Sequence, residues 1–508
     1  MNRKTLRAAI LGITPAIAAA QGTDLVIYVD EGASGTNNGT SWTDAYNDLQ
    51  DGIDDAESTS GLFGRRVVLV AEGKYNPTTA TWPIGSTDLR DRSFVIDGLE
   101  SIEVRGGFLG GPTGTTAIDA PDGAFNKTIL SGAIPGFGQV RHVLAHDANQ
   151  VTNTIIHGLV IEDGLATGPD PTIDREGAGV YLVGSSDILF ERVTIRNNEA
   201  RARGGGIFLL KGNGTLNMKN CVVRENFARD GAGIYYQSGL RVNLANVTVR
   251  DNGRTIAELG GTGISTERGG GLLMEFDSRI DAANCLIFDN AALIAGGGVY
   301  YDPYNSGPTG VYNHVWKHCT VAYNRIGALN SSPPSNNGAG FHIEPGFHDG
   351  EERVQTCDIF NSIIYNNRVG RDMTMLGDST DTGIVTTVEY SDVGTDFTTT
   401  VAMDRYTETN TIDLDPRFIN PATRNLRLRI DLLGPNTSPC IDNGKDAERG
   451  PDVLDLDDDA ATTLLPLDRA NENRIVNISF ITGSLPGAGS IDMGAFEARE
   501  PDAPSQGM

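Results

Sequence analysis

Four charged residues stand directly before a glycine-containing triplet at recurring intervals along the chain. They are Glu176, Arg203, Asp230 and Arg268. If successive intervals stack as rungs, these charges alternate in sign down one column. Such a column predicts a ladder of cross-rung ion pairs, or a site where carboxylates hold Ca²⁺ against an acidic sugar and an arginine abstracts a proton or neutralises a uronate. The ladder is favoured because it needs no further converging residues.

An aromatic position follows four residues after the first glycine of most triplets. This column contains Tyr181, Phe208, Tyr235 and Tyr300, with Leu273 and His342 in the two remaining units. Its flanking positions are mostly aliphatic, so alternation along a strand places the rings outside the core. Exposed rings could pack on pyranose faces. Alternatively, loops cover them and their stacking stabilises the fold.

A third candidate site lies near the C-terminus, where Asp455, Asp457 and Asp459 offer oxygens at positions one, three and five, as calcium loops do. Ala460 and Pro466 stand where such a loop has Gly and a bidentate Glu. A Ca²⁺ site and a solvated acidic loop are therefore alternative interpretations of this segment, and no cofactor is required.

Carboxylate pairs with Gly-His-Gly, typical of polygalacturonase-like hydrolases, are absent, so catalytic residues stay unassigned.

The triplets are the most regular part of a longer repeat. They begin at Gly177, Gly204, Gly231, Gly269, Gly296 and Gly338. Their spacings are 27, 27, 38, 27 and 42 residues, which fit a 27-residue coil with two loop insertions. Short β-rich runs with glycine corners predict coils of three strands, stacked about 4.8 Å apart. The predicted fold is all-β: a single-stranded right-handed parallel β-helix with an N-terminal helix cap and a C-terminal β-rich module.

Each unit also carries an asparagine five residues after an apolar, Cys or Ser position. These are Asn198, Asn226, Asn252, Asn290, Asn324 and Asn367. Stacking predicts an amide ladder at one corner, where Asn tolerates left-handed backbone geometry. Cys221, Cys285 and Cys319 share a column with valines, which predicts packed thiols. A Cys285–Cys319 bond across adjacent rungs is the remaining alternative.

The chain ends differ from the repeats. Residues 1–20 combine a basic start with an apolar run ending at Ala20, which predicts a secretory signal peptide cleaved near Gln21. Residues 21–150 are predicted to form an N-terminal cap and the first coils, with an amphipathic helix spanning Trp42 to Ala56. Residues 151–400 hold the repeats, and residues 401–508 form a Pro- and Asp-rich second module.

Charge and hydropathy argue against two classes of protein, those that bind nucleic acid and those that span a membrane. The 66 Asp and Glu residues outnumber the 40 Lys and Arg residues, which makes nucleic acid an unlikely partner. After the signal peptide, no segment is long and apolar enough to span a bilayer. The sequence therefore predicts a soluble protein outside the cytoplasm.

Several motifs resemble a known group of proteins. Near the N-terminus stand Ile27-Tyr28-Val29-Asp30 and Arg105-Gly106-Gly107-Phe108, and near the C-terminus Ser438-Pro439-Cys440-Ile441-Asp442 and Asp492-Met493-Gly494-Ala495-Phe496-Glu497. With the repeats, these resemble secreted β-helix proteins of planctomycete-like bacteria with polymorphic-outer-membrane-protein-like repeats and a C-terminal choice-of-anchor Q module. The resemblance implies a pectin-lyase-like fold and a surface location, but no particular activity.

The expected function is that of a secreted or cell-surface structural and adhesin-like protein that contacts extracellular polysaccharide or another surface component. A polysaccharide lyase or glycoside hydrolase is the alternative. Three enlarged connections, between Asn252 and Gly269, between Asn324 and Gly338, and from Gly164 to Gly177, are predicted to project from one edge beside the charged and aromatic columns. Variable loops on one edge of a rigid scaffold are typical of recognition sites.

Overall fold

In the computed structural model, the chain winds into coils of three short strands, each paired in parallel with its equivalents in neighbouring coils. Three long sheets result, as the sequence predicts. The structure describes residues 23–498 except 60, 62, 99, 122–126, 149–152, 170–173, 185–186, 211–213, 238–240, 256–264, 276–277, 303–311, 328–336, 345–354, 376–383, 395–396, 400–405, 432–435, 449–453, 455, 457–466, 469 and 471–490.

Sheet 1 has 12 strands, and sheets 2 and 3 have 10 each. The strands of sheet 1 are Leu25–Val29, Arg66–Ala71, Ile102–Phe108, Asn153–His157, Asp187–Glu191, Thr215–Lys219, Arg241–Ala245, Arg279–Ala283, Tyr312–Lys317, Gln355–Phe360, Ile384–Glu389 and Tyr406–Thr409. Those of sheet 2 are Gly73–Tyr75, Thr128–Ser131, Leu159–Glu162, Thr194–Arg196, Val222–Arg224, Thr248–Arg250, Leu286–Phe288, Thr320–Ala322, Ile363–Tyr365 and Asp392–Val393. Those of sheet 3 are Phe94–Ile96, Leu144–Ala148, Val180–Gly184, Ile207–Leu210, Ile234–Gln237, Leu272–Glu275, Val299–Asp302, Gly338–Ile343, Arg371–Met375 and Phe397–Thr399.

Short elements complete the described chain. Two-stranded parallel pairs join Leu165–Ala166 with Glu199–Ala200 and Ala291–Ala292 with Arg325–Ile326, and antiparallel pairs join Ala133–Ile134 with Gly138–Gln139 and Phe418–Asn420 with Asn425–Leu428. The helices are the α-helix Leu49–Ser58 and the 3₁₀ turns Leu89–Asp91, Gly111–Thr113, Pro421–Thr423 and Asp446–Glu448.

The core fills the bore of the coils, because every second side chain of each strand points inward. In the strand Val180–Gly184, Val180 and Leu182 join the central hydrophobic cluster, whereas Tyr181 belongs to a separate cluster outside it. The same division recurs in register at Ile207–Leu210 and Ile234–Gln237. Equivalent residues therefore form continuous columns.

The predicted asparagine ladder runs along the corner between sheets 2 and 3. Each amide nitrogen donates to the amide oxygen of the next coil, as in Asn226 Nδ2 to Asn252 Oδ1 and Asn252 Nδ2 to Asn290 Oδ1, both 3.0 Å. The last step ends on a carboxylate, where Asn367 Nδ2 donates to Asp372 Oδ1 at 2.8 Å. Each side-chain amide of the ladder thus has partners in the rungs on both sides of it.

The left-handed backbone expected of the ladder asparagines is instead adopted one residue earlier. Asn197, Glu225 and Asp251 have φ values of 56°, 57° and 56°. The preceding residue makes the bend, which leaves each ladder side chain free to point inward. The left-handed residue therefore lies one position before the asparagine at which the sequence predicts it.

The glycine triplets are explained by the same corner. The first glycine has positive φ in five units, for example 60° at Gly204 and 58° at Gly231, a conformation that favours glycine. The third glycine lies against the ladder, so that a Cβ at Gly206 would meet the Asn226 amide and the Gly233 carbonyl. Close approach of backbone and amides thus requires glycine there.

All five cysteines are buried, and each is a thiol that is not joined in a disulfide. Cys221, Cys285 and Cys319 lie in the central hydrophobic cluster with Val193 and Val247. Cys357 also lies in this cluster, stacked on His314 of the preceding rung. These positions agree with the predicted packing role.

The N-terminal helix covers the first strands but is shorter than the periodicity predicts. It spans Leu49–Ser58 and is capped by Asp48, whose side chain accepts a hydrogen bond from Gln50 N. Leu49 and Ile53 join the central core. Trp42 precedes the helix and packs with Phe108 in another cluster. The repeat of apolar residues therefore spans a loop as well as a helix.

The segment after the last coil docks on the outer face of sheet 2. Its Phe418, Leu426 and Met493 share a hydrophobic cluster with Leu286 and Phe288 of that sheet. Along the outward column that contains Phe288, earlier rungs carry Arg196, Arg224 and Arg250, and later rungs carry Ala322 and Tyr365. The sheet surface changes from charged to apolar where the segment binds.

Two C-terminal motifs noted in the sequence meet in this docked segment. Asp442 N donates to Asp492 Oδ1 at 2.8 Å, and Met493 N donates to Cys440 O at 3.0 Å. Gly494 N in turn donates to Asn361 O of a coil corner at 2.7 Å. The motifs therefore join the segment to itself and to the β-helix.

Within the described residues, no helix is long and apolar enough to cross a membrane. The predicted signal peptide at residues 1–20 lies outside the described residues. Its cleavage stays a prediction.

Replacing one ladder asparagine should strongly destabilise the fold. Asn252→Ala removes four hydrogen bonds, two donated by Nδ2 and two accepted by Oδ1. Buried groups left without partners cost about 1–3 kcal/mol each, so we expect a loss of about 4 kcal/mol in denaturant unfolding. The exposed Asn436→Ala serves as control. Unfolding at the wild-type midpoint would show that the ladder contributes little.

Candidate functional site

The charged column lies at the entry of sheet 3. Parallel bridges join Glu176 to Arg203, Arg203 to Asp230 and Asp230 to Arg268. Arg203 Nη1 lies 3.3 Å from Glu176 Oε1, and Arg268 Nε lies 3.0 Å from Asp230 Oδ1. Two cross-rung ion pairs of the kind that the sequence favours therefore lie in this column.

The two arginines of this column also cover aromatic rings. The guanidinium carbon of Arg203 lies 5.2 Å from the ring centre of Tyr235, and that of Arg268 lies 5.4 Å from the ring centre of Tyr300. Asp230 is 1% exposed, whereas Arg203 and Arg268 keep 34% and 30% of their side chains exposed. The arginines are thus the accessible part of the column.

The aromatic column lies outside the bore, as predicted, but it is covered. Tyr181, Phe208, Tyr235 and Tyr300 are all buried. Phe208 stacks on Tyr235 with ring centres 5.4 Å apart, and Trp82 packs on Tyr181 at 6.3 Å. Of the two roles considered for these rings, the exposed sugar platform does not fit this burial. They form a stacked layer beneath the charged side chains.

A third column on this face was not identified from the sequence. Two residues beyond the aromatic position, successive rungs carry Gln237, Glu275, Asp302 and Glu344. Their period could have been found, because each lies six residues after the first glycine of its triplet. The acidic pattern is incomplete in the sequence, because the earlier rungs have Val183 and Leu210 at this position.

Tyrosine hydroxyls beneath this column orient its carboxylates. Tyr235 Oη donates to Glu275 Oε2, and Tyr300 Oη donates to Glu344 Oε1 at 3.1 Å. Glu344 Oε1 also lies 2.9 Å from His342 Nε2. The buried rings therefore present polar tips to the acids above them.

Arg268 lies at the centre of the face. Its guanidinium lies 3.0 Å from Asp230, 3.9 Å from Glu275 and 3.9 Å from Asp302. One cation is thus shared among three carboxylates from three rungs. We call the surface formed by Glu176, Asp230, Arg203, Arg268, Glu275, Asp302 and Glu344 the sheet 3 face.

The acids of the sheet 3 face differ in proton affinity. Burial raises the pKa of Glu176 to about 7, against the opposing effect of Arg203. Burial also raises the pKa of Glu275. At Glu344 burial acts in the same direction, but the hydrogen bond and charge of His342, with help from Tyr300 and Arg268, outweigh it and lower the pKa. The pKa values of carboxyls on one face are therefore shifted in opposite directions.

Loops with exposed apolar side chains border the face at the corner between sheets 2 and 3. The exposed Leu89 and Phe137 lie in two neighbouring loops. An ion pair between Asp88 and Arg141 joins these loops, since Leu89 follows Asp88 and Phe137 lies in the hairpin just before Arg141. Ile84 and Ile294 are likewise exposed at this edge. Four of the seven large exposed apolar residues in the described part of the chain therefore belong to one edge.

The described ends of the enlarged loops reach the same edge. Glu267 N donates to Arg229 O at 2.6 Å, and Arg254 pairs with Glu199 at 2.6 Å. Asn337 Nδ2 donates to Ile294 O at 2.9 Å. Residues 170–173, 256–264 and 328–336 of these loops lie outside the described residues.

The proposed calcium ligands cannot be placed, since Asp455, Asp457 and Asp459 lie outside the described residues. Among the side chains that the structure does describe, no group of three or more His, Cys, Asp or Glu is arranged to hold a metal ion. Calcium at residues 455–459 stays a proposal from the sequence.

The coils are those of a right-handed parallel β-helix, an all-β fold. Residues 146–253 match the family described as "Right handed beta helix region". No curated protein matches the chain.

Solved structures resemble the chain only distantly. Pectate lyase Pel9A aligns with a TM-score of 0.42 and 14% identity, over 94% of this chain and 98% of that one. A rhamnogalacturonan lyase aligns with a TM-score of 0.33 and 11% identity, over 81% and 96%. A pectin methylesterase mutant in complex with a hexasaccharide aligns with a TM-score of 0.29 and 11% identity, over 75% of this chain and 92% of that one. These values are too low to transfer an activity.

Removing the Glu176 carboxyl should change how stability depends on pH. Its folded-state pKa is raised from 4.5 to about 7, so the protonated group stabilises the fold below pH 4.5, and this contribution is lost as the pH rises through about 7. Glu176→Gln should therefore gain melting temperature relative to wild type across this range. Glu191→Gln on sheet 1 controls for the lost charge. A constant difference between Glu176→Gln and wild type would contradict the raised pKa.

Proposed function

We propose that this protein binds extracellular polysaccharide through the sheet 3 face. The observation that carries the proposal is the outward column of Glu275, Asp302 and Glu344 in successive rungs, with Arg268 among them. Carboxylates and guanidinium groups form directional hydrogen bonds with hydroxyl-rich ligands. The exposed Ile294, just before the rung of Asp302, adds apolar surface for sugar C–H groups.

The periodicity of the face suits a polymer. Equivalent polar groups recur at the rung spacing of about 4.8 Å, so neighbouring units of an extended chain can meet similar partners. Many weak contacts repeated along one line give useful affinity through their number. A rigid solenoid holds these contacts in place and loses little conformational entropy on binding.

The proposed location is secreted or at the cell surface. It is supported by the sequence of residues 1–20, with basic residues, an apolar run and small residues before Gln21. In that setting the protein would act as a structural, adhesin-like component. The docked C-terminal segment, which resembles an anchor-associated module, is the proposed link to the surface.

A glycoside hydrolase is the second candidate. It is favoured by two carboxyls with opposite shifts, since the pKa of Glu275 is raised and that of Glu344 is lowered. Such pairs assign the general acid and the general base. Their backbones lie two rungs apart, about 10 Å along the axis, close to the carboxyl separation of roughly 6.5–9.5 Å in inverting enzymes.

Polysaccharide binding should depend on the acidic column. Asp302→Ala removes a charged acceptor that is 26% exposed, and loss of one such hydrogen bond costs about 1.5–3 kcal/mol. We expect affinity to fall about tenfold or more, measured by affinity electrophoresis or calorimetry, with an unchanged melting temperature. Glu191→Ala, on the outer face of sheet 1, is the matched control. If both variants lost glycan affinity equally, the sheet 3 face would not be the binding site.

Hydrolysis can be tested on the same glycans. If Glu275 is the acid and Glu344 the base, wild type releases reducing ends, and Glu275→Gln or Glu344→Gln lowers the rate by about 10²-fold or more while binding persists. The rate should fall at high pH, as Glu275 loses its proton, and at low pH, as Glu344 gains one. If the wild-type protein binds a glycan and releases no reducing ends, the hydrolase candidate is wrong and the protein only binds polysaccharide.

A further inference from the structure

The charges of the sheet 3 face are unevenly distributed. Five carboxylates contribute to it: Glu176, Asp230, Glu275, Asp302 and Glu344. Two cations of the face, Arg203 and Arg268, lie among them, and the neighbouring Arg229 also pairs with Asp230. The excess is negative, like that of the whole chain with its net charge of −26.

The cations already have carboxylate partners. Arg203 pairs with Glu176 at 3.3 Å, while Arg229 and Arg268 share Asp230 at 3.1 Å and 3.0 Å. Asp230 and Glu176 are nearly inaccessible, with 1% and 8% of their side chains exposed. A ligand carboxylate would have to compete with these short, partly buried contacts for the arginines.

The excess acids lie where a ligand would meet them. Asp302 and Glu344 keep 26% and 31% of their side chains exposed on adjacent rungs. A polyuronate would bring one carboxylate per sugar against this row, and like charges facing each other at rung spacing repel. Sugar hydroxyls can instead donate to the same oxygens, each of which has two lone pairs.

We infer that the ligand of the sheet 3 face is an uncharged glycan, whose hydroxyls donate to Glu275, Asp302 and Glu344. This inference rests on the proposed function and specifies its substrate class. The inferred ligand differs from the uronate that the sequence analysis gives as one alternative, because Arg203, Arg229 and Arg268 are all paired with acids of the protein itself.

The acceptors are held in place before a ligand arrives. The phenol of Tyr235 holds one oxygen of Glu275, and the phenol of Tyr300 and the imidazole of His342 hold one oxygen of Glu344. These contacts orient the carboxylates and leave acceptor capacity for hydroxyl donors. The buried rings thus serve recognition indirectly, by positioning the acids.

The test compares purified wild-type protein with Asp302→Lys on neutral glycans (a mixed-linkage β-glucan, a mannan and a xylan) and on polygalacturonate. Binding is measured by affinity electrophoresis with EDTA, with Ca²⁺, and at low and high salt. Wild type should bind at least one neutral glycan with little dependence on salt or Ca²⁺, and more tightly than polygalacturonate. Asp302→Lys should lose at least tenfold in neutral-glycan affinity and gain binding to polygalacturonate that salt weakens.

Glu191→Lys places the same charge change on sheet 1 and should alter neither affinity. If wild type prefers polygalacturonate, with or without Ca²⁺, the neutral-glycan inference is wrong and the proposed polysaccharide function stands. If no glycan binds, both fall. If Asp302→Lys keeps wild-type affinity for the neutral glycan, the ligand does not meet this column and the inference is again overturned.

Discussion

Parallel pairing between successive coils is the constraint on which the rest of this molecule depends. Because every strand pairs only with its equivalents one rung away, a side chain at one position always lies above its counterpart in the previous coil. A polar group that suits one rung must therefore suit its neighbours. The buried asparagine corner satisfies this condition with the amides themselves, since Asn252 both accepts from Asn226 and donates to Asn290.

The same stacking explains why so much could be read from the sequence. A 27-residue period was sufficient to predict the coil, the asparagine ladder, the thiol positions and the ion pairs between Glu176, Arg203, Asp230 and Arg268. All of these are contacts between neighbouring rungs at equal positions. Sequence alignment of the coils is equivalent to spatial alignment in such a fold.

Contacts that join different positions could not be predicted in this way. The sequence predicts the aromatic layer outside the bore, but Tyr181 is covered by Trp82, which lies far from it in sequence. The acidic column escaped notice because only the later rungs carry acids, at Glu275, Asp302 and Glu344. Docking of the C-terminal segment likewise depends on the change from Arg250 to Phe288 between adjacent rungs, a signal visible only once the columns are aligned.

The change from a charged to an apolar surface on sheet 2 also limits where additional coils can be inserted during evolution. Solenoids lengthen in evolution by duplication of a coil, and a new coil is tolerated where both neighbours offer it matching columns. Between the rungs of Arg196, Arg224 and Arg250 a duplicated coil would extend the existing surface. Between the rungs of Phe288 and Tyr365 it would move Leu286 and Thr320 apart, although Met493 shares a hydrophobic cluster with Leu286 and the next residue but one, Ala495, donates its N–H to Thr320. Gene duplication can therefore lengthen the sheet 3 face at its first rungs, while the last coils are fixed in number by the segment that binds them.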